Sequence, residues 1–119
     1  MLMTGSGVLF VDWQRLIRFH GACDVACFLA GSLTIADRRE HKDALLRRYN
    51  ERLLQAAVTE YTWETCRRHY REAMVHWLGL ITVASLLDVA DARGEALIAT
   101  MVERQYTAAA DHDALAFVS

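Results

Sequence analysis

Val8-Leu9-Phe10-Val11-Asp12-Trp13-Gln14 is the stretch on which the fold of this chain turns. Four consecutive apolar residues make a short β-type run, and the turn residues Gly5-Ser6-Gly7 mark where it starts. A second short run, Leu16-Ile17-Arg18-Phe19, follows the break at Asp12-Trp13-Gln14-Arg15 and ends at Gly21. Residues 1–20 therefore read as two or three short strands in a hairpin or meander, with Asp12 at the end of a buried strand. A carboxylate there has rigid backbone behind it and open space ahead. Such a site suits Mg²⁺, which takes one or two carboxylates plus phosphate oxygens. A turn Asp bonded to its own backbone has the same signature, and spacing alone leaves both readings open.

Outward from this stretch the period becomes helical, with about four helices expected over residues 22–110. Val25, Ala26, Phe28, Leu29 and Leu33 mark a short apolar helix closing near Gly31. Thr34, with Asp37 three residues on, is a capping-box-like start for the next. That second helix carries Leu45, Leu46, Tyr49, Leu53 and Ala57 on one face, and pairs Asp43 with Arg47 and Arg47 with Glu51 on the other. Thr62 caps a third helix with Glu64 in its first turn. It begins amphipathic through Trp63, Cys66, Tyr70 and Met74, then turns apolar all round to Leu87, as expected of a helix enclosed by neighbours. After the break at Asp88, Asp91, Arg93 and Gly94, a last helix puts Leu97, Ile98, Met101, Val102 and Tyr106 on one face. The chain from Ala108 onward reads as a fraying tail, with 111–119 beyond the helices.

Composition bounds what such a chain does. It has 119 residues, 54 % of them apolar, which calls for a sizeable buried core and excludes disorder. No proline occurs, in keeping with long uninterrupted helices. With 13 Lys+Arg against 15 Asp+Glu the net charge is −2, which argues against a nucleic-acid partner. The arginine pairs 38–39, 47–48 and 67–68 have acidic neighbours and read as a solvated helix face. The N-terminus has neither basic region nor signal-length apolar stretch, and the apolar run from Met74 to Leu87 is too short to span a membrane. Three cysteines are too few for a disulfide framework, so a cytoplasmic setting is expected.

Taken with Gly21, Asp24-Val25-Ala26 and Phe28-Leu29, the Val8–Gln14 stretch resembles the aminoglycoside phosphotransferase family and the related ecdysteroid-kinase-like (CHK kinase-like) and choline-kinase-like enzymes. In those families a strand ends in an Asp followed by an aromatic residue, as in Asp12-Trp13, the counterpart of the metal-binding Asp of protein kinases. An Asp-aliphatic-Ala element then opens a helix, as in Asp24-Val25-Ala26. Gly31-Ser32-Leu33, Arg38-Arg39 and Leu45-Leu46-x-x-Tyr49 are also similar to bacterial members. The resemblance runs through most of the chain, and its diagnostic part is residues 12–33.

The resemblance implies a mainly α fold with a short N-terminal β-hairpin, the C-terminal lobe portion of the protein-kinase-like fold. It implies phosphoryl transfer from ATP to a hydroxyl of a small molecule. Asp12 would hold Mg²⁺ against the β- and γ-phosphates, Trp13 and Gln14 would fix its direction, and Asp24 would brace the catalytic loop. Asp24 also reads simply as a helix N-terminal carboxylate favoured by the dipole. No residue of these 119 matches the family's His-Gly-Asp-x-x-x-x-Asn loop. The expectation is a single partial domain, inactive alone, whose catalytic loop and nucleotide lobe lie upstream of Met1. Its partners would be the acceptor and either that missing lobe or a second copy, met through exposed apolar surface.

Acceptor binding in such enzymes involves the C-terminal helices, which brings Tyr61, Trp63, His69, Tyr70, His76 and Trp77 into question; core packing is the plainer role for most of them. Two metal-like constellations are incomplete by spacing. Cys23 and Cys27 with His20 lack the second ligand pair of a structural zinc site, and His69, Glu72 and His76 lack the partner motif of a di-iron bundle. The alternative to an enzyme fragment is a non-enzymatic helical module that binds a ligand or dimerises through its apolar helices.

Overall fold

The structure is a computed structural model that describes residues 2–9, 17–86 and 91–117. Among these residues it is mainly α, with four helices and a short hairpin. Strand β1 (Leu2–Thr4) pairs antiparallel with β2 (Gly7–Leu9), Met3 opposite Val8, across a turn at Gly5-Ser6. Gly7 closes that turn at φ 143°, a backbone region that favours glycine. The hairpin packs on no helix among the described residues, and Val8 and Leu9 are about half exposed; the rest of the expected buried strand, Phe10 and Val11, lies outside the described residues. Residues 17–20 form no strand: Phe19 instead lays its ring against those of His20 and His76.

Helix α1 (Ala22–Ser32) buries Ala22, Cys23, Ala26, Leu29 and Ala30, a face small enough for close helix approach. Helix α2 (Ile35–Gln55) starts as expected, with the Thr34 side chain accepting from Asp37 N–H at 3.1 Å. Its apolar face is only partly used: Leu46 is buried, Tyr49 half-buried and Leu45 exposed. Ala57 lies beyond the helix at φ 64°, the left-handed residue of a Schellman motif in which Val58 N–H bonds to Leu53 O and Ala57 N–H to Leu54 O. Arg47 forms neither expected ion pair; its guanidinium lies 4.4 Å from the Trp63 ring centroid, a cation–π contact across to the next helix.

Helix α3 (Trp63–Ala84) is the central element, with α1 and α4 packed along it. Thr62 caps it by accepting from Thr65 N–H, and Cys66, Tyr70, Ala73, Met74, Leu78 and Ile81 form its core face. Enclosure on every side fails at its C-terminal end, where Val83 and Leu86 stand in solvent. Helix α4 (Ala92–Asp111) is capped by Asp91, whose carboxylate accepts from Gly94 N–H at 2.7 Å. It presents Gln105, Ala108 and Ala109 to the core; of the face the apolar periodicity selects, Ile98 and Val102 are half-buried, Val102 against the core, while Leu97, Met101 and Tyr106 are exposed. Leu97 is 60 % and Tyr106 54 % exposed. Small side chains let α4 approach α1 and α3, and Leu97, Met101 and Tyr106 turn outward. The expected tail is structured: Ala108 and Ala109 are buried in α4, and a 3₁₀ turn (Ala114–Phe117) buries Ala114.

Candidate functional site

Asp12, Trp13 and Gln14 lie outside the described residues. The segment that leaves them is described again from Ile17 and enters α1 through Phe19, His20 and Gly21, where Cys23 N–H bonds to His20 O and Asp24 N–H to Gly21 O. Against the middle of α3 this segment encloses a cleft of about 100 Å³ lined by Ile17, Phe19, His20, Cys23, Asp24, His76 and Trp77. Its wall is aromatic. Phe19 stacks on His76 at 5.5 Å between centroids, His76 meets Trp77 edge-on, and the Trp77 indole N–H donates to Cys23 O at 3.0 Å. That last bond ties α3 to the first turn of α1. Burial pushes the Cys23 thiol up, so it stays protonated. Asp24 sits exposed in the first turn, its carboxylate on the rim of the cleft. A larger concavity of about 480 Å³ along α2, from Ala44 to Gln55, has one helix as its only wall and is an open trough.

Beside the cleft, side chains distant in sequence meet. The His20 and His69 rings stack at 4.0 Å and 9°, and His20 Nε2 lies 3.3 Å from Glu72 Oε2. Tyr61 Oη lies 3.0 Å from His69 Nδ1, and Arg68 donates to Glu72 Oε1 at 3.2 Å. Burial, then the neighbouring His20, lowers the His69 pKa. The Cys23–Cys27–His20 and His69–Glu72–His76 groupings are thus both broken up. His20 leaves the first to join two members of the second.

Of the Arg38-Arg39 pair, Arg39 is exposed as expected and Arg38 is not. Arg38 is 1 % exposed and donates to Asp111 at 2.8 Å, while Arg39 grips the same carboxylate through two bonds. Tyr70, Arg71 and His112 adjoin this pair around a small cavity that Lys42 and Arg67 also line. Arg71 donates to His112 O, and the Tyr70 ring meets His112 edge-on. Burial pushes the Tyr70 hydroxyl up to about 12. Of the aromatic candidates, Tyr70 is core, Trp63 lies under Arg47, and His76 and Trp77 reach the cleft. No sequence signal pointed to Asp111 as a partner for Arg38, since the pair is 73 residues apart.

Residues 8–112 match the family model DUF1679, described as "Uncharacterized oxidoreductase dhs-27". The chain belongs to this family, which is CHK kinase-like. No curated protein and no solved structure matches the chain. No helix of the described residues is long and apolar enough to cross a membrane.

Proposed function

We propose that this chain is the helical, metal-binding part of an ATP-dependent phosphotransferase acting on a small-molecule hydroxyl, with the architecture of a kinase-like C-terminal lobe. The observation that carries the reading is the family match, which runs through Asp12-Trp13-Gln14 and Asp24-Val25-Ala26 together. The local structure supports it: α1 opens at Ala22, so Asp24 falls in the first turn, at the rim of an aromatic cleft fed by the segment that leaves Asp12. Carboxylate oxygens are the hard donors that Mg²⁺ prefers. Bound there with ATP, the ion would neutralise charge on the β- and γ-phosphates. Asp12 is the proposed ligand, Trp13 and Gln14 hold its direction, and Asp24 braces the loop that meets the acceptor. The catalytic loop is not among these 119 residues, so the chain alone is expected to bind Mg-ATP weakly; micromolar affinity by calorimetry would count against this assignment of the site.

The word oxidoreductase in the family's description fits the residues less well. Dinucleotide binding uses G-x-G-x-x-G between a strand and a helix of a parallel sheet. Here Gly5-Ser6-Gly7-Val8-Leu9-Phe10 lacks the third glycine and runs from a hairpin turn into a strand.

A second reading, a helical module that self-associates, draws on Leu97, Met101 and Tyr106 standing exposed on α4. Sedimentation of the wild type against Leu97→Glu tests it: a concentration-dependent dimer lost in the variant supports it, and a monomer at all concentrations excludes it.

A further inference from the structure

We propose that His20, His69 and Glu72 form a binding site for a divalent transition-metal ion, with Zn²⁺ as the fitting probe. The ligand atoms of these three residues all lie within 4.8 Å of one another. Around a tetrahedral zinc, neighbouring ligand atoms stand about 3.3 Å apart. His20 Nε2 and Glu72 Oε2 are already at 3.3 Å. His69 completes the set by a ring rotation that opens its stack on His20.

Two of the three ligands are held by a further group, as metal ligands characteristically are. Arg68 takes Glu72 Oε1 and leaves Oε2 facing His20. Tyr61 holds His69 at Nδ1, leaving Nε2 as the coordinating nitrogen. In the tautomer in which His69 Nδ1–H donates to the Tyr61 oxygen, Nε2 is free to coordinate. The lone pair then sits on Nε2, as coordination requires. The His20 Nδ1 atom is buried without a hydrogen-bond partner among the described residues, so nothing there competes for the ring. Two imidazoles and one carboxylate suit Zn²⁺ and leave its fourth position to water. Because His20 belongs to the segment that enters α1 and the other two to α3, the ion would pin that segment to the central helix. None of these residues is a proposed Mg²⁺ ligand, and only His20 lines the cleft, so the two readings stand or fall separately.

The test is calorimetric titration of the untagged chain with Zn²⁺ at neutral pH, with helical circular dichroism confirming the fold of each variant. One equivalent binds at micromolar affinity, His20→Gln and Glu72→Gln each abolish it, and His76→Gln leaves it unchanged. Tyr61→Phe, a positioning change, weakens it by about 10- to 100-fold. Substitution of Co²⁺ in the wild type gives the intense visible bands of a four-coordinate ion without thiolate charge transfer. Absence of binding, equal affinity in Glu72→Gln, or a thiolate band from Cys23 or Cys66 would each overturn the proposal.

Discussion

Arg38, in the first turn of α2, and Asp111, in the last turn of α4, are joined by a 2.8 Å ion pair with the guanidinium almost wholly buried. The pair locks the end of α4 onto the start of α2, two elements that otherwise touch little. Removing one member leaves the other as an uncompensated charge, and the cost falls on the buried side. Asp111→Ala is therefore expected to destabilise the fold by about 3 kcal/mol. Arg39→Ala, which loses a solvent-exposed partner, costs under about 1 kcal/mol. Chemical unfolding of the two variants measures the difference.

Stability falls with acid in two stages. Burial, then Lys42 and Arg38, lowers the His112 pKa from the ordinary 6.5 to about 4. Between those values the unfolded chain binds the proton and the folded one does not, so stability drops as pH falls from about 6.5 to about 4. His69, lowered by burial, adds in the same sense. The Asp111 carboxyl is held down to about 2, first by its hydrogen bond from Arg39 and further by Arg38. Its contribution is present above the ordinary 3.8 and is lost as pH falls toward about 2. The urea midpoint is expected to be lower at pH 5 than at pH 7, and His112→Asn to narrow that gap.

Gly21, the residue before α1, lies against the Tyr49 hydroxyl. A Cβ placed on it would lie 2.6 Å from the Tyr49 hydroxyl oxygen and 3.8 Å from the carbon behind it. Gly21→Ala is expected to cost about 1–2 kcal/mol by overpacking. Tyr49→Phe removes the offending atom, so the same substitution in that background costs less. A double-mutant cycle reads the coupling directly.

Ala57 carries a Cβ at φ 64°, where L-residues other than Gly are strained. Ala57→Gly is expected to raise stability by about 0.5–1 kcal/mol, the relief of strain exceeding the added freedom of the unfolded chain. A rise in thermal midpoint checks it; a fall would mean the Schellman turn is not formed.

Two helix starts were legible because they are local chemistry: Thr34 and Thr62 each sit within three residues of the N–H they accept from. Asp91 caps α4 by the same chemistry, but with Arg93 and Gly94 it reads in the sequence as part of the break before that helix. What was not legible depends on partners far along the chain. The period of α4 selects Leu97 and Met101, yet the core takes Ala108 and Ala109. Arg38 reads as solvated beside Asp37 and Glu40, and only the return of α4 supplies Asp111. His20 and Glu72 are 52 residues apart, so no spacing rule joins them. The resemblance anchored at Asp12-Trp13 reached the family, a level that periodicity alone does not reach.

In the proposed function Asp12 is the metal-binding carboxylate of a phosphotransferase. Its most direct test is Mg²⁺-dependent ATP turnover in a polypeptide that joins this chain to a CHK-kinase-like upstream lobe bearing His-Gly-Asp-x-x-x-x-Asn. Asp12→Asn is expected to lower turnover on the order of 100-fold or more with helical content unchanged. Turnover equal to that of the unsubstituted polypeptide would contradict the account.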